Sequence, residues 1–289
     1  MFAATHVVAK NVANLYEKPN ASSPLDSQAV LGEVVRLEER EDGFLRVITG
    51  VDLYSGWIDS KWLVTAKEVP KLQSGVVKRL FAELFSKPDR SSELITKLVM
   101  GTKVHLAETQ DSSIYVKLVM PSGQAGYVQR SSVQTKPLYL VPDSSQKVLA
   151  EASARTTQIA KQLIGTPYLW GGTTPFGLDC SGLVQLCYKM CGISLRRNSY
   201  MQMSDQRFLH VENGKSLNQA EFRPGDLLGF GPSGKVNHIG IALGDGLFIH
   251  ASGSQRRAGV FIDSCKESTL VELFMKAVRL SSAATIESA

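Results

Sequence analysis

A cysteine and two later histidines are the residues of this chain best placed to do chemistry. Asp179 is a good N-terminal cap residue, so it places Cys180 in the first turn of a predicted helix. Unpaired backbone N–H groups and the helix dipole favour an anion there, and they lower the pKa of a thiol. His238 and His250 lie in two predicted strands that are joined by the turn 244–246. The pattern predicts a thiolate nucleophile with imidazole partners.

The turn between the two strands sets their register. A hairpin centred on Asp245 places Gly240 opposite His250, so His238 and His250 become diagonal neighbours on one face. In the predicted Cys–His–His triad, Cys180 attacks a carbonyl carbon and His238 takes and returns the proton. His250 holds the ring of His238 in the productive tautomer.

Other interpretations of these residues stay open. A histidine in a strand is usually structural, and a cysteine with two histidines can bind zinc. Zinc is disfavoured because no fourth ligand stands at a recognised spacing and neither HExxH nor CxxC occurs in the sequence. Cys187, Cys191 and Cys265 are expected to be small core side chains. We therefore predict no metal and no cofactor.

The overall composition is that of an ordinary globular protein. The chain has 289 residues, of which 43% are hydrophobic and 20% charged, and its net charge is +5. Lysine and arginine are scattered and do not alternate with aromatic residues, so nucleic-acid binding is not expected. No stretch approaches the about 20 apolar residues of a membrane span, and the N-terminus lacks the features of a secretory signal. Four cysteines are too few for a disulfide framework. We predict a cytoplasmic protein.

The first half of the chain repeats itself at an interval of about 69 residues. The segment 15–20, Leu-Tyr-Glu-Lys-Pro-Asn, recurs as 84–89, Leu-Phe-Ser-Lys-Pro-Asp. Short alternating runs separated by Gly, Pro, Asn and Asp predict strands, and several of them in about 65 residues suit a small barrel. We predict two domains, residues 1–67 and 68–137, that resemble bacterial SH3-like domains.

A third domain is predicted over residues 145–283. Residues 145–164 have the spacing of a helix, and a second helix runs from Cys180 toward the stop signal Gly192. Strands are expected after these helices, at 226–230, 238–243, 247–251, 260–262 and 273–280. Helices followed by an antiparallel sheet are typical of an α+β domain.

Five sequence blocks resemble the NlpC family of papain-like cysteine peptidases, which cleave bacterial cell-wall peptides. The blocks are Tyr168-x-Trp170-Gly171-Gly172, Asp179-Cys180-Ser181-Gly182-Leu183-Val184-Gln185, Arg223-Pro224-Gly225-Asp226-Leu227, His238-x-Gly240-Ile241 and Ile249-His250-Ala251-Ser252. With SH3-like domains in front, the chain resembles the γ-D-glutamyl-L-diamino acid endopeptidases of the dipeptidyl-peptidase VI type. The resemblance implies a papain-like catalytic domain after two small all-β barrels. It also implies cleavage after γ-D-Glu in peptidoglycan-derived peptides with a free N-terminal L-Ala, such as L-Ala-γ-D-Glu-diaminopimelate.

The resemblance implies roles for individual residues as well. Cys180, His238 and His250 form the triad, and the hydroxyl of Tyr168 helps to stabilise the oxyanion. The pocket for the N-terminal dipeptide is lined by six further residues, with the Asp179 carboxylate close to the ligand amine: Trp170, Asp179, Ser181, Ser199, Tyr54 and Glu33.

Three alternative functions use the same sequence features. The first is an exported hydrolase or amidase that acts on intact peptidoglycan. The second is an acyl-transfer enzyme with the same triad. The third is a wall-binding protein whose catalytic domain is inactive, which the intact Cys180, His238 and His250 set disfavours.

Overall fold

The computed structural model of the chain describes residues 4–66, 73–107, 114–135, 146–211, 216–218, 221–232, 234–255 and 257–281. The chain divides into two compact units, Met1–Leu138 and Tyr139–Ala289. Within the described ranges, no helix is long and apolar enough to cross a membrane.

The first copy of the repeat is a seven-stranded antiparallel sheet. Its strands are β1 (His6–Val8), β2 (Val12–Tyr16), β3 (Leu25–Val30), β4 (Val34–Glu41), β5 (Phe44–Thr49), β6 (Ser55–Asp59) and β7 (Leu63–Thr65). They are hydrogen bonded in the order β3-β2-β6-β5-β4-β1-β7. Ala13 and Leu15 of β2 and Leu45 and Val47 of β5 are buried while their neighbours are not, as expected when one sheet face covers a core.

The second copy has the same architecture. Its strands are β8 (Gln73–Val77), β9 (Phe81–Phe85), β10 (Leu94–Val99), β11 (Lys103–Leu106), β12 (Tyr115–Val119), β13 (Ala125–Gln129) and β14 (Val133–Gln134). Their order, β10-β9-β13-β12-β11-β8-β14, is that of the first copy strand for strand. The prediction of two small all-β domains is confirmed. Hydrogen bonding among the described residues does not close either sheet into a barrel.

The two copies agree down to individual contacts. Gly56 of β6 and Gly126 of β13 occupy the same place in their sheets. A β-carbon at Gly56 would lie 3.0 Å from the Cβ of Leu15, and one at Gly126 would lie 2.7 Å from the Cγ of Leu84. Each glycine therefore lets its strand pass close to a buried leucine of the neighbouring strand.

In the part of the chain that the structure describes, the second unit combines three α-helices with a six-stranded antiparallel sheet. Its elements are α1 (Gln146–Gln162), β15 (Thr173–Thr174), β16 (Gly177–Leu178), α2 (Cys180–Lys189), α3 (Ser199–Gln202), β17 (Phe208–His210), β18 (Leu227–Phe230), β19 (His238–Gly244), β20 (Leu247–Ser254), β21 (Arg257–Ser264) and β22 (Phe274–Leu280). The sheet order is β17-β22-β18-β19-β20-β21, and β15 pairs with β16 in a separate hairpin. The α+β class is confirmed. The short elements α3 and β17 were not predicted from the sequence.

Helix α2 packs against α1 and against the strands β19 and β20. All of its residues from Ser181 to Tyr188 are buried, so this part of the helix is covered on every side. The Tyr188 hydroxyl donates a hydrogen bond of 2.6 Å to the carbonyl of Gly225. This bond ties the last turn of α2 to the loop before β18, the strand that pairs with β19. The domain boundaries 1–67, 68–137 and 145–283 stay predictions.

Candidate active site

Cys180 is the first residue of α2, directly after its cap. Asp179 has an extended backbone, and its Oδ1 accepts a hydrogen bond of 2.7 Å from the N–H of Gly182. The N–H of Asp179 itself donates to the carbonyl of Gly172 over 3.1 Å. A β-carbon at Gly182 would lie only 2.1 Å from that same carbonyl oxygen. The start of the helix therefore sits directly on the Gly171-Gly172 turn, and side chains at Gly172 and Gly182 are sterically excluded.

The cap carboxylate is the centre of a buried polar network. Asp179 accepts hydrogen bonds from the N–H groups of Gly171 and Gly182 and from the Ser181 hydroxyl. The Arg197 guanidinium binds both of its oxygens, with 3.1 Å between Nη1 and Oδ1. Nη1 of Arg197 also donates to the Ser181 Oγ over 2.8 Å. The Arg197 side chain is only 2% exposed, so a full ion pair is buried at the start of α2.

The two histidines are in direct contact. Nε2 of His238 lies 2.8 Å from Nδ1 of His250, and the ring planes are nearly perpendicular. The β19–β20 pairing Ile241 with Ile249 has the register predicted from the turn at Asp245. The expectation that both rings share one face of the hairpin is confirmed.

The environment of His250 favours one arrangement of its protons. The ring is 3% exposed and packs against the rings of Phe248 and Phe261. Its Nε2 lies 3.8 Å from Oδ2 of Asp263 on β21. The negative carboxylate favours a proton on that Nε2, which makes Nδ1 the acceptor from His238 Nε2–H. This tautomer leaves His238 Nδ1 unprotonated and able to act as a base.

Burial controls the charge on the cysteine. It raises the pKa of the Cys180 thiol to about 12, and the negative Asp179 acts in the same direction. Hydrogen bonds from the backbone N–H groups of Ile239 and Ser181, and the charge of Arg197, have the opposite effect on this pKa but do not prevail. The lowered thiol pKa expected from the sequence is therefore wrong for the resting site. The Ile239 N–H does place the sulfur beside the start of β19, next to His238.

Burial also disfavours a lone charge on the imidazoles. It lowers the pKa of His238 to about 4, although the negative Asp179 acts to raise it. It lowers the pKa of His250 to about 3, with His238 as the second cause and Asp263 acting in the opposite direction. A proton that moves from Cys180 to His238 instead creates two opposite charges together. Their mutual attraction offsets the desolvation that each charge would suffer alone.

Tyr168 lies near the same sulfur. Its backbone forms a parallel bridge with Leu178, two residues before Cys180, and its ring lies where a side chain at Gly253 would have to be. Burial, then the charges of Cys180 and Asp179, raise the pKa of the Tyr168 hydroxyl to about 12. The hydroxyl is therefore protonated at neutral pH and available as a hydrogen-bond donor.

Among the residues that the structure describes, no group of three or more His, Cys, Asp and Glu side chains is arranged to hold a metal ion.

Comparison with protein-family models assigns the two units. Residues 165–279 match the NlpC/P60 family, and residues 15–63 match the bacterial dipeptidyl-peptidase Sh3 domain. The C-terminal unit belongs to the NlpC/P60 family. The chain is thus a cysteine peptidase with an NlpC/P60 domain and, at its N-terminal side, a dipeptidyl-peptidase-type SH3 domain.

Similar proteins cover most of this chain. A dipeptidyl-peptidase 6 from Lysinibacillus sphaericus is 27% identical over 261 residues, which are 85% of this chain and 87% of the relative. A γ-D-glutamyl-L-lysine dipeptidyl-peptidase from Bacillus cereus is 25% identical over 248 residues, 81% of this chain and 69% of the relative. The crystal structure of an NlpC/P60 family protein from Bacillus cereus has a TM-score of 0.80 at 20% identity and covers 96% of this chain and 100% of that chain. This last similarity shows the shared fold.

The predicted pocket residues differ in their surroundings. Trp170 is 66% exposed, whereas Ser199, the first residue of α3, is buried. In the N-terminal unit, the Tyr54 hydroxyl donates to Asp26 Oδ2 over 2.8 Å, and Glu33 Oε2 accepts from the N–H of Val30 over 3.1 Å. Their assignment to a substrate pocket stays a prediction.

Two residues of the site were not predicted from the sequence. Arg197 stands in a polar segment that reads as an exposed loop, yet it neutralises Asp179. A buried carboxylate at a helix cap does require a cation, which is the one signal that could have indicated an arginine partner. Asp263 approaches His250 only through the register of β20 with β21, where Phe248 pairs with Asp263. No local pattern in the sequence marks it.

Proposed function

We propose that the protein hydrolyses the bond between γ-D-Glu and the diamino acid in peptidoglycan-derived peptides such as L-Ala-γ-D-Glu-diaminopimelate. The observation that carries the proposal is the His238–His250 pair of 2.8 Å at the strand whose Ile239 N–H reaches the Cys180 sulfur. The names of the two dipeptidyl-peptidase relatives support the choice of substrate.

The proposed reaction begins with proton transfer inside the site. Nδ1 of His238 takes the proton of Cys180, and the sulfur attacks the γ-carbonyl carbon of the D-Glu residue. His238 then gives this proton to the leaving amine, which departs with the diamino acid and leaves a thioester on Cys180. Water deprotonated by His238 hydrolyses the thioester. His250 keeps the His238 ring in its reactive tautomer throughout.

The tetrahedral intermediate needs donors for its oxyanion. We propose the hydroxyl of Tyr168, which stays protonated because its pKa is raised to about 12. The Ser181 N–H, which bonds the sulfur of Cys180 in the resting site, belongs to the unpaired first turn of α2 and is a second candidate.

Recognition of the free L-Ala amine is the most detailed part of the proposal. Asp179, Ser181, Trp170 and Ser199 would line the dipeptide pocket, and Tyr54 and Glu33 would contribute from the first SH3-like domain. Since Arg197 neutralises Asp179, we propose that Asp179 positions Ser181 and orients the pocket, and attracts the amine only weakly. A cytoplasmic location is likewise a proposal.

Mass spectrometry of peptide digests tests the proposal. L-Ala-γ-D-Glu-diaminopimelate should yield the dipeptide L-Ala-D-Glu and diaminopimelate, and Cys180→Ala should abolish the products. N-acetylation of the L-Ala should reduce turnover by at least about tenfold, because it removes the ammonium donors that the proposed pocket binds and adds bulk in their place. Equal cleavage of both peptides would refute the proposed recognition of the amine but not the role of Cys180. Cleavage of α-linked peptides alone would refute the proposed substrate.

A further inference from the structure

A basic groove lies on the second SH3-like copy, within the N-terminal unit. It has a volume of about 330 Å³, which is the size of a small-molecule site. Its lining includes three cations, one carboxylate and two aromatic rings: Arg79, Arg90, Lys97, Glu83, Phe81 and Phe85. Nothing in the hydrolytic reaction uses these residues.

The first copy explains how the groove arose. Trp62 of the first copy corresponds to Ser132 of the second, since each is the last residue of the short 3-10 turn before the final strand. In the first copy the ammonium group of Lys10 lies 3.6 Å from the centre of the Trp62 ring. In the second copy Arg79 stands where Lys10 stood, and the small Ser132 lines the groove. The indole that fills this space in the first copy is thus missing from the second.

The charges of the groove also distinguish the copies. Asn14 pairs with Gln28 across β2 and β3, and their amides share a hydrogen bond of 3.1 Å. The second copy has Glu83 paired with Lys97 at the same two positions. Two neutral side chains that satisfy each other have been replaced by charged ones.

A third difference lies in the turn after β2 and β9. The turns are built alike, because Lys18 N–H donates to Ser23 and Lys87 N–H donates to Ser92 in the same way. Within that conserved turn, Arg90 stands where the first copy has an alanine at position 21. Nη2 of Arg90 donates to Gln129 over 3.3 Å, which directs the guanidinium toward the groove.

We propose that this groove binds a small ligand with two or more anionic oxygen groups, carboxylate or phosphate. Three cations against the single carboxylate of Glu83 leave a net charge of +2 in the lining, which arginine forks and an ammonium group can match to such groups. Phe85 is buried and Phe81 is 38% exposed, so one wall of the groove offers the ligand an apolar surface. The proposal does not rest on the proposed hydrolysis.

Nuclear magnetic resonance titration of the full chain tests the groove. The probes are the dipeptide L-Ala-D-Glu, which has two carboxylates, and inorganic pyrophosphate. The amide signals of Phe81, Glu83 and Lys97 should shift with at least one probe. Signals near Cys180 report separately on binding at the catalytic site.

The three test substitutions restore residues of the first copy and therefore suit the fold. Arg90→Ala combined with Lys97→Gln should weaken binding by about tenfold or more, because two charge-assisted contacts are lost. Ser132→Trp should abolish it by filling the groove. Lys103→Ala removes an exposed cation from β11, which two strands separate from β9, and should leave affinity unchanged within about twofold.

The outcomes separate cleanly. Shifts with the peptide alone support the site and identify carboxylates as its ligand chemistry, whereas shifts with pyrophosphate alone support it and identify phosphate. No groove shift with either probe at millimolar concentration overturns the proposal, as does unchanged affinity in the double variant. Hydrolysis of the cell-wall peptide by the double variant should equal that of the wild type, so the two proposals stand or fall independently.

Discussion

Replacement of His238 by glutamine is expected to remove most of the reactivity of Cys180. Glutamine can still hydrogen bond to His250, but it cannot accept a full proton. In the native site the Cys180 thiol already has a pKa of about 12 in place of the ordinary 9.0, and the variant keeps the same burial without an imidazole to take the proton. At neutral pH this corresponds to about a thousandfold less thiolate than an ordinary cysteine, or about 4 kcal/mol. A more basic thiolate is a better nucleophile and recovers roughly 20-fold, which leaves alkylation about 50-fold slower than for a free cysteine.

The assay is alkylation by iodoacetamide, followed by peptide mass spectrometry to identify the labelled cysteine. In His238→Gln, the alkylation rate at Cys180 should rise about tenfold per pH unit without a plateau up to about pH 11. The wild-type rate should reach its plateau at a far lower pH. His210→Gln replaces an exposed histidine of β17 and should behave like the wild type. A plateau below pH 9 in His238→Gln, or a wild-type rate at pH 7, would refute the view that the imidazole generates the thiolate.

Two predictions concern stability, measured by urea unfolding. Arg197→Met leaves the Asp179 carboxylate buried without its cation and should cost about 3–5 kcal/mol, while the exposed neighbour Arg196→Met should cost less than about 0.5 kcal/mol. Adding Asp179→Asn to Arg197→Met should recover part of the loss, and a larger loss would contradict the ion-pair interpretation. Gly126→Ala places a methyl group 2.7 Å from Leu84 and should cost about 1–3 kcal/mol. Combined with Leu84→Ala, it should cost clearly less than the sum of the single changes; strict additivity would show that the two residues do not clash.

Local patterns made part of the structure predictable. The tight turn around Asp245 fixes which residues of β19 and β20 face each other, so the contact between His238 and His250 follows from counting. The place of Cys180 follows in the same way from a cap residue and an apolar run. The repeat predicts a second sheet like the first, because the same turn and glycine contacts recur in both.

Long-range contacts made the rest unpredictable. The partner of Asp179 is Arg197, 18 residues away, and it arrives through a segment without periodicity. The resting pKa of Cys180 depends on how deeply the sulfur is covered, which the helix position alone does not reveal. Whether either N-terminal sheet closes into a barrel depends on the tilt of its strands, and the alternation of apolar and polar residues does not reveal this tilt.

The contact between Gly172 and Gly182 has a consequence for how damage to this enzyme would be recognised. The position of the Cys180 sulfur is set by the short segment 171–182, which folds back on itself. The imidazoles of His238 and His250 are positioned by a sheet assembled from segments that are distant in the sequence. Substitutions in the segment 171–182 would misplace the Cys180 sulfur, whereas substitutions in the sheet would displace His238, the proton acceptor. Inactive variants should therefore fall into two groups, which differ in whether a small electrophile still alkylates Cys180.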